Sequence, residues 1–150
     1  MTGIILLDTG VLGMIVHPST DGEAGTCKRW MVQQLRNGQA FALPEICDYE
    51  LRRKLLHMGA AKQIGRLDEL GLRLSYLPIT TQTMRQAAML WSIARREGMP
   101  TAGPRALDAD AVLGAQAVIA AEGGPSVIVA TTNVRHLQRF ATAARWDTIG

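Results

Sequence analysis

The stretch IILLDTG, Ile4 to Gly10, runs four large apolar residues straight into a carboxylate, a threonine and a glycine. Four apolar residues in succession, without polar alternation, fit a strand covered on both faces, as inside a parallel sheet. An unpaired ionised carboxylate at the edge of such a core is costly unless it is compensated or its pKa shifts until it is neutral. Asp8 therefore needs a partner. Capping a short helix that opens near Gly10 is one use for it, and holding a cation is another.

Outward from this strand the chain alternates. Val11, Leu12 and Met14 open a short helix stopped by His17-Pro18, and the polar loop STDGEAGT (Ser19 to Thr26) leads to a helix over Cys27 to Arg36 that Asn37-Gly38 ends. Ala40 to Leu43 reads as a second core strand. Pro44, at a first helical position, starts EICDYELRRKLLHM, where Cys47, Leu51, Leu55 and Met58 form one stripe with Glu50 on its flank. Gly59 and Gly71 bracket a further helix, and Leu74 to Leu77 is a third strand. Thr80-Thr81 precedes a long helix with an apolar face of Met84, Ala87, Ala88, Trp91 and Ala94. After the loop TAGPRA, the helix LDADAVLGAQAVIAAE takes Asp108 as its N-cap. Val127 to Val129 is a fourth strand, TTNVRHLQRF a turn and short helix, and Trp146 to Ile149 an edge strand. Strands alternating with helices predict an α/β fold over residues 1–150: an α/β/α sandwich with a mainly parallel central sheet. In such sheets the working crevice lies beyond the carboxyl ends of the strands. Asp8 sits at one such end, and Thr131, Thr132 and Asn133 sit at another.

The totals agree with one domain. With 150 residues, 47% of them hydrophobic, the chain can fill one core but not two. Lys plus Arg number 16 against 13 Asp plus Glu, a mild basic excess that favours an anionic partner. Cys27 and Cys47 have no metal-ligand spacing and form no framework of pairs, so buried reduced thiols are expected. No apolar run approaches the ~20 residues of a membrane span, and the N-terminus has no basic region followed by a small-residue cleavage site. A cytoplasmic protein, away from membranes, is expected.

The acidic positions admit three readings. Asp-Thr-Gly is the tripeptide of aspartic proteases, but those are all-β, whereas half of this chain has helical periodicity. DADAV, Asp108 to Val112, resembles the Asp-x-Asp of haloacid-dehalogenase-type phosphatases, yet a Gly-Pro-Arg loop stands where their buried strand should be. The third reading gathers Asp8, Glu50, Asp108 and Asp110 into one site. Were Asp108 the non-helical cap and Asp110 in the first turn, both would look out of the same helix end. A hard divalent cation such as Mg²⁺ or Mn²⁺ takes a few carboxylate oxygens plus water, and it would compensate Asp8. Blander roles compete at each position. Capping explains Asp108, a surface ion pair with Lys54 explains Glu50, and complementing the helix dipole explains Glu45 and Asp48. His17, His57 and His136 lack ligand spacing.

In the order Asp8, Glu50, Asp110, Asn133, and in these local contexts, the chain resembles the PIN-domain family of metal-dependent ribonucleases, above all VapC-type toxins. The matching pieces are LLDTGVL (Leu6 to Leu12), YELRRKLL (Tyr49 to Leu56), DADAVLGAQA (Asp108 to Ala117) and VATTNVRHL (Val129 to Leu137). The resemblance implies a metal site of Asp8, Glu50 and Asp110, with Asp108 as a further acid close by. It implies Asn133 where the family has Asp or Asn, Thr131 binding a carboxylate or a water, and Thr9 orienting Asp8. The implied chemistry is hydrolysis of RNA with a metal-activated water, leaving a 5′-phosphate and a 3′-hydroxyl with no covalent intermediate. Arg52, Arg53, Arg95, Arg96, Arg135 and Arg139 are candidates to draw in single-stranded or loop RNA. A homodimer and a small antitoxin partner are family expectations. The alternative is a catalytically inactive PIN-like module that binds RNA or protein, an idea that Asn133 in place of an acid keeps open.

Overall fold

The computed structural model describes residues 3–98 and 104–150, and for 104–107 the helical backbone. Five strands form one sheet in the order β3-β2-β1-β4-β5, with every neighbouring pair parallel. The central strand β1 is Gly3–Leu7, where Ile5, Leu6 and Leu7 are buried. Its apolar run reads as it does because β2 (Ala40–Pro44) and β4 (Ser126–Thr131) flank it on both edges while helices cover its faces. Register places Leu7 opposite Ala130, and the Asp8 amide continues the ladder to the Ala130 carbonyl at 3.1 Å. The outer strands are short: β3 is Ser75–Leu77 and β5 is Ala143–Arg145.

From β1 to β3 the chain steps across the sheet in one direction, through α1 (Thr9–Val16), α2 (Gly22–Arg36), α3 (Glu45–Met58) and α4 (Ala61–Arg73). It then crosses through α5 (Thr81–Arg96) and α6 (Pro104–Ala120) to β4, and steps the other way through α7 (Val134–Leu137) to β5. Right-handed crossovers taken in opposite directions put helices on opposite faces, which yields the three-layer α/β/α sandwich expected from the sequence. The main core lies around β1 and includes Leu12, Leu43, Cys47, Leu113 and Trp146. A second cluster of Ala87, Ala94, Ala111, Val112, Ala115 and Phe140 seals α5 against α6. Both cysteines are buried and unpaired. Among the described residues no helix is long and apolar enough to cross a membrane.

Several boundaries differ from the sequence reading, each for a physical reason. Helix α2 starts at Gly22, not Cys27, so part of the polar loop is helical. The Thr26 hydroxyl donates to the Gly22 carbonyl, and Glu23 pairs with Arg145 at 2.9 Å, holding a turn of weak intrinsic propensity. Pro44 ends β2 and is the N-cap rather than the first helical residue of α3. Met58 leaves the buried stripe and is 60% exposed, because α3 ends at Gly59 in the left-handed region, φ 68°. On α5, Ala87 and Ala94 face the core, while Met84 and Ala88 are exposed. Trp146 to Thr148 is a 3-10 turn, and the edge strand is the preceding Ala143–Arg145. The most consequential change is at α6. It begins at Pro104, so Asp108 lies in the second turn and is not an N-cap.

Candidate functional site

Strand order reverses between β1 and β4, since the connection after β1 leads to one side of the sheet and the one after β4 to the other. The gap beyond their carboxyl ends is the topological switch point, where open α/β sheets place their ligands. Asp8 and Thr131 meet there. The Thr131 hydroxyl donates to Asp8 Oδ2 at 2.6 Å, and the Asn133 amide donates to Thr131 Oγ1 at 2.9 Å. These two bonds run in series from the loop after β4 to the carboxylate after β1, and each polarises the next. Thr131 is fully buried, whereas the Asn133 side chain is exposed and joins the site through its backbone alone among the described contacts.

Thr9 serves two carboxylates. Its amide donates to Asp8 Oδ1 at 2.8 Å as Asp8 caps α1, and its hydroxyl donates to Glu50 Oε1 at 2.8 Å across 41 residues of sequence. The amide does orient Asp8, but the hydroxyl is spent on Glu50. Glu50 does not form the expected pair with Lys54; its cationic neighbour is Arg53, at a long 3.9 Å. Behind it, Cys47 places its buried sulfur 4.0 Å from Asp8 Oδ1. Burial first, then the charge of Asp8, pushes this thiol well above its ordinary range, which keeps it protonated and able to donate. Sequence reasoning missed Cys47 as a neighbour of the site, although its spacing of three from Glu50 on α3 puts both on adjoining parts of one helix face.

Asp110, half-buried on α6, completes the cluster. Its pKa is pushed up to about 6 by burial, then by the negative charges of Asp8 and Glu50, with Arg139 acting the other way. Asp8 is also raised, because burial outweighs the hydrogen bonds from Thr131 and Thr9. Asp110 on α6 therefore feels the charges of Asp8, just past β1, and of Glu50 on α3. Asp108 does not share their space in the manner the sequence reading required: on a helix it points about 200° away from Asp110. It borders two surface cavities, one with Tyr49, Glu50 and Arg53 and one with Trp91 and Met84. Among the described residues no three His, Cys, Asp or Glu side chains stand close enough together to hold a metal ion between them.

The arginines divide. Arg52 is taken by Asp48 at 2.9 Å and Asp68 at 2.7 Å, and Tyr76 donates to the same Asp48, so this residue ties α3 to α4 and β3. Arg53 lies over the Tyr49 ring and Arg95 over the Trp91 ring. Arg96 and Arg135 are exposed, and Arg139 acts electrostatically on Asp110. Among the histidines, His17 accepts from the Ser19 amide at 3.0 Å and anchors its loop.

Comparison with solved structures identifies the architecture. VapBC2 of Rickettsia felis, bound to a promoter DNA fragment, aligns with a TM-score of 0.68 at 15% identity, covering 96% of this chain and 99% of that one. VapBC-1 of nontypeable Haemophilus influenzae gives 0.66 at 15% identity, covering 96% and 98%. DNA-bound VapBC of Salmonella typhimurium gives 0.64 at 18% identity, covering 97% and 99%. Over 96–97% of its length the chain has the fold of these structures, the VapC-type PIN fold. No protein-family model matches its sequence, and no curated protein sequence does either.

Proposed function

We propose that this chain is a Mg²⁺- or Mn²⁺-dependent endoribonuclease and the toxin of a toxin–antitoxin pair. The observation that carries the reading is the convergence of carboxylates at the switch point: Thr9 bonds both Asp8 and Glu50, and Asp110 stands near enough to feel the charge of each. Their donor set fits a hard cation. Mg²⁺ is ordinarily held by one or two carboxylates, with water and substrate phosphate filling its octahedron, so a closed protein cage of three acids is not required. Asp8 and Asp110 would hold the ion, with Glu50 beside it and Asp108 at the outer edge. When bound, such a cation acidifies water and polarises a phosphodiester oxygen.

The chain's own groups do the positioning. Thr131 and the Thr9 amide fix the two oxygens of Asp8; with the Cys47 thiol also at Oδ1, Oδ2 is the oxygen that keeps a free lone pair for a cation. The Thr9 hydroxyl fixes Glu50, whose other oxygen is left to orient or accept a proton from water. Attack by water on phosphorus breaks the bond to O3′, which takes up a proton, leaving a 5′-phosphate and a 3′-hydroxyl. Arg53 and Arg139 flank the acids and offset their repulsion of the RNA backbone.

Two partners accompany this reading. The three structural neighbours are VapBC proteins, which supports a small antitoxin for this chain as well. An apolar groove of about 430 Å³ between α1 and α3, bordered by Thr9, Gly13, Met14 and Leu55, offers it a seat that reaches the site. Exposed Met89 and Ile93, one turn apart on α5, suit a homodimer contact.

The test is incubation of the purified protein with mixed RNA and Mg²⁺ or Mn²⁺, with the new ends sequenced, for wild type and Asp110→Asn. Cutting by wild type alone, with 5′-phosphate ends, is the expected result. Equal cutting by both proteins excludes the site, and RNA binding without cutting by either would favour the inactive module.

A further inference from the structure

A trough of about 410 Å³ lies between α3 and α6, immediately beside Glu50. Ile46, Ala109 and Val112 give it an apolar floor; Tyr49, Arg53 and Asp108 form its rims. Tyr49 is 55% exposed, a large aromatic surface to leave in water one residue from the acidic cluster. The Arg53 guanidinium sits 5.0 Å from the centre of its ring. Past Asp108 and Val112, a second cavity of about 370 Å³ is bordered by another aromatic ring, that of Trp91, over which Arg95 lies at 5.5 Å without itself lining the cavity. Both cavities share Asp108 and Val112, so the rings of Tyr49 and Trp91 border one track on the flank of α6.

The chemistry of the nearer trough selects its occupant. Among the described residues Glu50 and Asp108 outnumber Arg53 there, which disfavours a phosphate, whereas a flat neutral ring with N–H donors is welcome. An unpaired nucleobase has that character: its face stacks on tyrosine and on a guanidinium plane, and its amino edge donates to a carboxylate. We propose that the trough is a nucleobase subsite for single-stranded RNA, in which the base beside the phosphate being cut stacks on the Tyr49–Arg53 layer and presents its N–H edge to Asp108. This rests on the ribonuclease reading above and gives it a preference: bases with an exocyclic amine, guanine, adenine and cytosine, are accepted over uracil, whose carbonyls face a carboxylate unfavourably. Duplex RNA is excluded, because a paired base has neither its face nor that edge to offer.

The experiment compares wild type, Tyr49→Ala, Tyr49→Phe and Asp108→Asn on a single-stranded RNA oligonucleotide with a mapped cut. It reads kcat and KM in Mn²⁺, fluorescence anisotropy of the labelled oligonucleotide in EDTA, and light scattering for oligomeric state. Tyr49→Ala is expected to raise KM and weaken binding about tenfold, the effect of losing one base stack, with kcat little changed. Tyr49→Phe keeps the ring and should behave as wild type. Asp108→Asn should lose the discrimination against uracil at the cut. If wild type cuts but Tyr49→Ala shows the same KM, binding and cut-site profile, the subsite is wrong and the nuclease reading stands. If wild type does not cut, the nuclease reading fails and the EDTA binding arm decides the subsite on its own. A changed oligomeric state in Tyr49→Ala, with RNA binding intact, makes the trough a contact between copies of this chain and overturns the proposal.

Discussion

Thr9 is the residue on which the site's geometry turns, because one amide and one hydroxyl, adjacent in the chain, fix carboxylates from two different elements. The two functions separate cleanly by substitution. Thr9→Val keeps the amide bond to Asp8 and the branched shape, and removes only the hydroxyl that holds Glu50. The lost hydrogen bond is partly exposed to water, so stability should fall by about 1 kcal/mol or less. Catalysis should suffer more: groups that orient the residues around a metal are typically worth 10- to 100-fold, so kcat for RNA cleavage is expected to drop roughly tenfold at saturating Mn²⁺. Thr9→Ser should restore most of it. Equal kcat for Thr9→Val and wild type would show that the bond to Glu50 has no part in the reaction. Sequence reading could place Thr9 beside Asp8 because they are neighbours in the chain. Its hold on Glu50 was invisible, since nothing in a string of letters records a contact across 41 positions.

At the scale of elements, β1, α1, α3 and β4 were legible for a common reason: each pairs a strong apolar run with an unambiguous stop. His17-Pro18 ends α1, and the left-handed Gly59 ends α3. Elements held by tertiary contacts were misread. The first turn of α2 has polar, weakly helical residues and is kept by Thr26 and by the Glu23–Arg145 pair. Strand β5 is three small or charged residues held by its ladder to β4, by Ala143 against the core and by the pairs of Arg145 with Glu23 and Asp147. Helix α6 was misread at its start because Asp108 is a better cap by type than anything preceding Pro104, and one turn of error changed which way its carboxylate points. What fixes α6, and so the place of Asp110, is close packing at Gly114. A Cβ there would come within 2.4 Å of Phe140 Cβ, a contact that neither backbone can relieve without moving. Gly114→Ala, which a helix would ordinarily welcome, is therefore expected to destabilise the protein by roughly 1–3 kcal/mol, the usual effect of overpacking. A thermal melt checks it: a lower midpoint is expected, whereas an unchanged or raised one would mean that α6 does not lie this close to the segment after α7.

For the whole molecule, the parallel order β3-β2-β1-β4-β5 forces acids that are far apart in sequence into one crevice, and that convergence has a thermodynamic signature. The alternation of strands and helices made the sandwich readable before any coordinates, and with it the expectation that Asp8 and Thr131 share a rim; the degree to which burial and repulsion act on the acids required the structure. Asp110 has its pKa raised from 3.8 to about 6, so the folded state holds more protons than the unfolded one across that interval. Stability must then fall as pH rises from about 4 to about 6, the opposite of the usual carboxylate. A rise of this size would correspond to at most about 3 kcal/mol, and solvent screening at a half-exposed group reduces it to about 1–2 kcal/mol. Asp110→Asn removes the charge without removing any hydrogen bond assigned to that side chain, so in EDTA at pH 7 the variant should melt above wild type, and the gap should close at pH 4. On the proposed reading, Mn²⁺ would act on the same charge with the opposite sign. Binding only the folded state at a hundred times its dissociation constant contributes about 2.7 kcal/mol, which for a chain of this size raises the midpoint by roughly 5–10 °C. Wild type at pH 7 should show that rise, the rise should shrink at pH 5 where protons compete for Asp110, and Asp110→Asn should show little of it at either pH. A wild-type midpoint indifferent to Mn²⁺ at pH 7 would mean that the carboxylates meet at the sheet's rim without holding an ion there.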